Sequence, residues 1–518
     1  MNIAEILQKQ ARERGEAPAI IDVRCGSDRT TTFAGLEGAA ARGASLLMAR
    51  GLTPGETVLV FLPMSAELYI ALMALFRLGM TAMFIDPSAG REHIERCCAI
   101  RAPAALIASP RAHLLRLVIP ALRCIPHHFS MGGFIPATTP WNHSNRMSPR
   151  TAITICAPET PALITFTSGS TGQPKAAVRS HGFLLEQHRV LERAIHLTPG
   201  ATDLTTLPIF VLANLASGVT SLIPDADLRR PGEIRPARVL RQIDRFCPTS
   251  LAASPAFVDR LCAGVLAARP TIPGFRHVFT GGAPVFPDHL ERFAATFPGA
   301  EIVAVYGSTE AEPIAHIARN ELSNEEMSAM ASGAGLLTGK PVVEIRAVVI
   351  AATWGVPLEA MGRDEFVARS LPSGASGEIV VSGGHVLQGY LNGVGDGETK
   401  FSVEGRVWHR TGDWGYFDAR GRLWLLGRAS AVIRDERGEL HPFAVECAAR
   451  NIQGVERAAL VARNRRRILF VQRRRRASVD MEALHTALKW ADLDEVRMLR
   501  AIPLDKRHNA KVDYTRLR

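Results

Sequence analysis

Along this chain, short apolar runs alternate with segments of helical period. Residues 57–62, 81–85 and 104–107 are apolar runs of strand length, and 66–78 and 92–100 carry helix-spaced apolar positions. That alternation predicts an α/β protein whose sheets are covered by helices. The start, Met1-Asn2-Ile3-Ala4-Glu5-Ile6-Leu7, predicts an amphipathic helix. Further runs at 162–166, 201–207 and 277–280 end in Gly, Pro or Ser loops, where α/β folds usually bind ligands. Residues 130–150, rich in Gly, Pro, Ser and Asn, predict a long surface connection. From Gly374 the texture turns β-rich, with strands expected at 378–382, 407–410 and 423–426. A chain of 518 residues is too long for one core, and a short terminal domain is expected to begin near Arg428.

Composition changes this picture little: 47% hydrophobic and 21% charged residues are ordinary for a globular protein. The most apolar stretch, 68–85, is interrupted by Arg77 and Gly79, so a helix followed by a strand is expected there and no transmembrane segment. The N-terminus lacks a basic region followed by an apolar one, so export is not expected. Eight cysteines are scattered without a CxxC pair, which predicts reduced, mostly packed thiols in a cytoplasmic protein. His127-His128 has no acidic or thiol partner nearby and is expected in a loop.

Charge adds one feature. The net charge is +11, and from Ala429 onward 20 lysines and arginines stand against 12 acids. Arg465-Arg466-Arg467 and Arg473-Arg474-Arg475-Arg476 flank the apolar run 468–471, which predicts a strand with basic ends. Such ends suit a solvated edge or a docking surface for an acidic partner. They are not interleaved with aromatic residues, so no nucleic acid is expected.

Thr167-Ser168-Gly169-Ser170-Thr171-Gly172-Gln173-Pro174-Lys175 follows an apolar strand. Glycines let backbone N–H groups approach an anion, hydroxyls donate further hydrogen bonds, and lysine supplies charge. It is not a Walker A loop, because Gln173 and Pro174 separate the glycine from the lysine. Gly281-Gly282-Ala283-Pro284 is a tight turn after a strand. Tyr306-Gly307-Ser308-Thr309-Glu310, Thr411-Gly412-Asp413, Gly427-Arg428 and Arg507-His508-Asn509-Ala510-Lys511 follow in that order.

Together these strings resemble the adenylate-forming superfamily of acyl-CoA synthetases, luciferases and peptide-synthetase adenylation domains, over nearly the whole chain. The resemblance implies a large N-terminal adenylation domain, 1–427, of sheets covered by helices. It also implies a small mobile C-terminal α+β lid, 428–518, and a requirement for ATP and Mg²⁺. The phosphate loop (Thr167, Ser168, Gly169, Ser170, Thr171, Gly172 and Lys175) is then expected to hold the β- and γ-phosphates. Gly282, Ala283 and Pro284 would form the adenine-binding turn. Tyr306 would stack on adenine, Thr309 would meet the α-phosphate, and Glu310 would help to hold Mg²⁺, a hard cation that wants oxygen ligands. Asp413 would accept the ribose hydroxyl protons, and Arg428, at the hinge, would also contact ribose. Lys511 matches the catalytic lysine that bridges carboxylate and α-phosphate, although by charge alone Lys506 could serve. Departures are Ala176, where glycine is common, Ser430, where Asp or Lys is common at the hinge, and Ala444, where an acid is common.

The acid pocket is expected around Phe210, Val211 and Asn214. Leu207-Pro208-Ile209-Phe210-Val211 matches a family motif that often carries histidine where Val211 stands, and an apolar residue there fits an aliphatic substrate. The apolar stretches 212–218 and 220–223 suit either a lipid-like tunnel or ordinary core. Several segments resemble one branch, the β-lactone synthetases of bacterial olefin biosynthesis: 220–227 with Arg230-Pro231, Ser254-Pro255-Ala256, 306–313 and 414–418. That branch adenylates a 2-alkyl-3-hydroxy fatty acid, whose own hydroxyl expels AMP. The alternatives are a fatty acyl-CoA or acyl-carrier-protein ligase, whose CoA or acidic carrier would dock on the basic C-terminal domain, and a silent nucleotide-binding scaffold. Retention of the phosphate, Mg²⁺, ribose and lysine positions favours an enzyme.

Overall fold

The computed structural model describes residues 2–86, 89–168, 173–268, 272, 274–474, 476–505 and 511–517. Contacts divide the chain into two units, Met1–Asp225 with Leu387–Gly397, and Ala226–Val386 with Glu398–Arg518. Both mix sheets with covering helices, as the apolar pattern predicts.

In the first unit the strands Thr139–Pro140, His127–Ser130, Ala105–Ala108, Thr57–Phe61, Thr81–Phe84 and Pro161–Ser168 lie side by side and parallel. Antiparallel Pro174–Ser180 closes one edge. The central strands Ala105–Ala108 and Thr57–Phe61 are buried along their whole length because helices cover them. The helix Ala66–Arg77 is buried nearly all round, and the strand Thr81–Phe84 follows. The terminal nitrogens of its one inward charge, Arg77, donate to the carbonyls of Arg150 (3.0 Å) and Thr151 (2.9 Å) and to Glu37. A buried guanidinium paired in this way costs far less than a bare one. A second group of strands is Ser27–Thr32, Pro18–Arg24, Thr220–Leu222 and Thr202–Thr205.

One local expectation is corrected here. His127 and His128 are not in a loop but on a strand, opposite Ala105 and Leu106. The His128 ring nitrogen meets the Leu122 carbonyl at 2.9 Å, which lets a polar ring sit on that strand. The 130–150 connection is anchored by Trp141, which is buried and packs edge-on against Phe129. A Cβ on Gly43 would come within 2.6 Å of the same indole, so glycine is required there. All eight cysteines are free, five of them buried and Cys25, Cys124 and Cys247 exposed.

In the second unit parallel strands Ser250–Ala253, His277–Gly281 and Glu301–Ser308 give way to antiparallel Ala311–Ala318 and Leu336–Pro341. Leu423–Arg428, Arg406–Phe417, Gly377–Gly383 and Ile345–Ile350 continue the order. After them the strands Val455–Arg463, Arg466–Arg473 and Glu495–Leu499 pair with one another. They enclose, with the helices Pro442–Arg450 and Met481–Ala487, cores drawn from Ile433 to Leu517. Asn464 and Arg465, both at positive φ, form the two-residue turn between the first two of these strands. Among the described residues no helix is long and apolar enough to cross a membrane.

Three of the seven clustered arginines are paired within this unit, and Arg475 lies outside the described residues. Arg467 is buried, donating to Asp435 (2.6 and 2.8 Å) and to the carbonyl of Ala491. Arg466 pairs with Glu495, and Arg474 reaches Asp288 at 3.3 Å. Arg465, Arg473 and Arg476 remain exposed.

Candidate active site

The second unit assembles a polar cluster at strand ends. Strand His277–Gly281 ends in Gly281-Gly282. A Cβ on Gly281 would lie 2.6 Å from the Val305 carbonyl, and Gly282 has φ +77°, so the turn before Ala283 and Pro284 requires both glycines. The neighbouring strand Glu301–Ser308 carries Tyr306, and Thr309-Glu310 is the turn into Ala311–Ala318. The Ser308 hydroxyl accepts from the Glu310 N–H at 3.2 Å and fixes that turn.

Asp413 reaches this point from the strand Arg406–Phe417, where its register partner is Arg428. The Tyr306 hydroxyl donates to Asp413 Oδ2 at 2.8 Å, and Arg428 Nη1 donates to Asp413 Oδ1 at 3.0 Å. Arg428 also donates to the Thr411 carbonyl, and the Thr411 hydroxyl accepts from the Asp413 N–H, both at 3.0 Å. Burial and the Asp413 charge hold the Tyr306 phenol well above its ordinary pKa, so it stays a neutral donor. Asp413 in turn raises the Arg428 pKa.

Lys511 joins the same cluster. Its segment is tied down by an antiparallel bridge between Leu504 and Val512, and by paired backbone contacts with Asp505. Lys511 as a whole residue is exposed. The protein nevertheless crowds its ammonium enough for desolvation, then the Arg428 charge, to lower its pKa, against Asp413, Asp505 and Glu310. Tyr306, Glu310, Asp413, Arg428 and Lys511 thus come together from four separate stretches of sequence. Lys506 lies outside the described residues, as do Arg507, His508, Asn509 and Ala510.

In the first unit Thr167 and Lys175 face each other across a hairpin, with Ser168 opposite Pro174. Gly169, Ser170, Thr171 and Gly172 lie outside the described residues. Lys175 is buried, its Nζ 5.9 Å from the centre of the Tyr390 ring. A Cβ on Gly395 would lie 2.5 Å from its side chain. Phe210, Val211 and Asn214 lie on the helix Pro208–Ser217 and are buried. The Asn214 amide donates to Asp203 (3.0 Å) and Ser221 (3.1 Å).

Sequence reasoning missed two supporting features, at His409 and at Arg410 with Glu378, and it noted Glu446 with Pro442 only as similar to a CoA-ligase C-domain pattern, without its partners. His409, buried beside Lys400 and near Glu310, is pushed down to about pKa 3 by burial first, so it is a neutral ring within the cluster. Arg410, on the strand that carries Asp413, and Glu378, on the neighbouring strand, form a fully buried ion pair (2.6 Å). Glu446 accepts from the hydroxyl of Tyr514, three residues beyond Lys511, at 2.7 Å and from the Leu460 N–H at 3.0 Å. The only available signal was position next to a motif, since none of these partners is close in sequence.

Glu446 yields a prediction. Burial pushes its pKa up to about 8 from an ordinary 4.5, so the native state keeps a proton that the unfolded chain gives up. Its contribution is complete below about pH 4.5 and is lost as pH rises to about 8, at up to ~1.4 kcal/mol per pH unit. Glu446→Gln keeps a carbonyl acceptor for Tyr514 and removes the titration. Urea midpoints between pH 5.5 and 8.5 should fall less steeply in the variant; parallel slopes would disprove the assignment.

The chain belongs to the AMP-binding enzyme family, whose model matches residues 7–391. It is an adenylate-forming ligase that uses ATP and acts on a small-molecule substrate. It is 34% identical to the olefin beta-lactone synthetase of Stenotrophomonas maltophilia, over the whole chain and 97% of that protein. The olefin beta-lactone synthetase of Xanthomonas campestris pv. campestris is 31% identical, over the whole chain and 96% of its length. The fold is similar to that of the amide bond synthetase McbA from Marinactinospora thermotolerans, with a TM-score of 0.81, 21% identity and coverage of 100% and 99%.

Proposed function

We propose that this ligase activates a 2-alkyl-3-hydroxy fatty acid as its acyl-AMP and closes it to a β-lactone. The observation that carries the reading is the full-length similarity to two olefin beta-lactone synthetases. In the first step a carboxylate oxygen attacks the α-phosphorus of ATP and pyrophosphate leaves. In the second the β-hydroxyl oxygen attacks the acyl carbon, its proton is lost, and AMP departs.

Residues 428–518 are proposed as the lid that brings Lys511 to the reacting groups. Attack of an anionic carboxylate on an anionic phosphate is opposed by charge, and a lysine placed where charge accumulates lowers that barrier. Asp413, held by Tyr306 and Arg428, would accept the ribose hydroxyl protons. Tyr306 would also present its ring to adenine beside Gly282, Ala283 and Pro284, and Thr309 would meet the α-phosphate. Thr167, Ser168 and Lys175, with the loop they flank, would hold the β- and γ-phosphates.

Among the described residues no three His, Cys, Asp or Glu side chains gather around a common point. That donor set fits Mg²⁺ better than a metal caged by protein, because Mg²⁺ is usually held by one or two carboxylates together with phosphates and water. Glu310, whose charge reaches Arg428, His409 and Lys511, would be that carboxylate. When bound, Mg²⁺ supplies charge neutralisation at the phosphates. Phe210, Val211 and Asn214 are proposed to border the acyl pocket.

The second reading is a fatty acyl-CoA or acyl-carrier-protein ligase. Exposed Arg465, Arg473 and Arg476 favour it, whereas the internal pairing of Arg466, Arg467 and Arg474 leaves less of the basic surface for an acidic partner. The test is to incubate the protein with ATP, Mg²⁺ and either a β-hydroxy or a plain fatty acid, with and without CoA, and to weigh the products. A lactone from the hydroxy acid alone is expected, because a tethered hydroxyl has a high effective concentration. The plain acid should stall as bound acyl-AMP. Thioester from plain acids, with no lactone from any hydroxy acid, would overturn the reading in favour of the second.

A further inference from the structure

Residues 96–158 of the first unit contain seven arginines and not one aspartate or glutamate. Within that stretch, the segment from Pro110 to Arg123 connects two parallel strands and folds as the helix Pro110–His113, the 3-10 turn Leu114–Leu117 and the helix Pro120–Arg123. Its inward side is ordinary core, with Ala112, Leu115, Ile119 and Leu122 packed beneath it. Its outward side is not ordinary surface. Leu114 is 59% exposed, Leu117 76% and Val118 59%. A 3-10 turn repeats every three residues, so Leu114 and Leu117 project from the same side. The loop after the next strand adds Phe134, 76% exposed. That loop lies against the same helix, since a Cβ on Gly133 would come within 3.2 Å of Pro110.

Single exposed apolar residues are common on soluble proteins, but three large ones within five positions, with a fourth on the loop packed against the same helix, mark an interaction site. Arg111 and Arg123 are exposed around the cluster and Arg116 is half-buried beside it, and none makes an ion pair among the described residues. The nearest acids in sequence, Glu92 and Glu95, are already paired with Arg96 and Arg91 along their own helix. Apolar side chains ringed by uncompensated arginines complement the boundary between anionic headgroups and acyl chains.

We propose that this face, centred on Leu114, Leu117, Val118 and Phe134 with Arg111, Arg116 and Arg123 around it, docks the protein on an anionic phospholipid bilayer. The apolar side chains enter the acyl boundary while the guanidinium groups stay at headgroup level. None of these residues belongs to the nucleotide cluster, so docking and adenylation are separable.

The test is flotation of the full chain with vesicles of equimolar phosphatidylcholine and phosphatidylglycerol, against pure phosphatidylcholine vesicles. Binding to the anionic vesicles alone is expected, weakening as salt rises. Leu117→Asp and Phe134→Asp should each weaken partitioning by on the order of tenfold or more, the scale of one buried large apolar side chain. Arg111→Ala, which leaves the apolar positions intact, should weaken it roughly fivefold. Failure of the unaltered protein to float, or variants that float as it does, would overturn the proposal. Self-association that Leu117→Asp abolishes, without vesicle binding, would instead assign the face to a second copy of this chain.

Discussion

Lys511→Ala is expected to lose roughly 10²- to 10³-fold in kcat for acyl-AMP formation, the scale seen when one transition-state donor is removed. KM for ATP and for the acid should change far less, because the ammonium acts where charge builds up in the transition state. The setting of Lys511 supports this. Its backbone is held by Asp505 on both sides of the turn and Tyr514 is anchored on Glu446, so the segment presents the lysine from a fixed base. Asp413, Asp505 and Glu310 favour its charged form, against the desolvation of its ammonium and the Arg428 charge that lower its pKa. Pyrophosphate exchange with ATP, measured on Lys511→Ala and Lys506→Ala side by side, checks the assignment. A crippled Lys506→Ala beside an active Lys511→Ala would give the role to the other lysine.

The second large effect is on stability. Arg410 and Glu378 are both fully buried, with three guanidinium-to-carboxylate contacts of 2.6 to 3.1 Å. Arg410 also donates to the Thr353 carbonyl at 3.1 Å, tying a loop to the strand that carries Thr411 and Asp413. Arg410→Met leaves Glu378 buried without its counter-ion, which costs ~3–5 kcal/mol in such pairs. Burial already pushes the Glu378 pKa up, so the orphaned carboxyl is expected to take a proton as the variant is acidified and to recover part of the loss. The double variant Arg410→Met/Glu378→Leu should recover most of it, because a well-packed apolar pair replaces a buried ionic one at little cost. Urea unfolding of the single and double variants measures both effects. A single variant within ~1 kcal/mol of the parent would show that the pair carries no such load.

Much of this protein was legible in its sequence because the information was local. Strand-length apolar runs and helix-spaced segments predicted the alternation of the first unit to within a residue or two, as at Thr57–Phe61 and Ala66–Arg77. The motif residues Gly282, Tyr306, Glu310 and Arg428 stand at or near strand ends or in turns, where backbone geometry leaves side chains free to meet a ligand, whereas Asp413 lies within the strand Arg406–Phe417. His127 and His128 were misplaced because their composition suggested a loop, while the ladder with Ala105 and Leu106 made them a strand.

What tertiary structure alone decided is which distant residues meet. Tyr306 and Asp413 are 107 positions apart, and only the packing of their two strands sets hydroxyl against carboxylate. The arginine run around Arg467 announced a basic strand, but Asp435 sits 32 positions away, so internal pairing was invisible until that hairpin folded back. The same holds for Glu446 under Tyr514 and Glu378 under Arg410. Propensity and periodicity act over a few residues, whereas burial and charge pairing depend on strand register, which long-range contacts set.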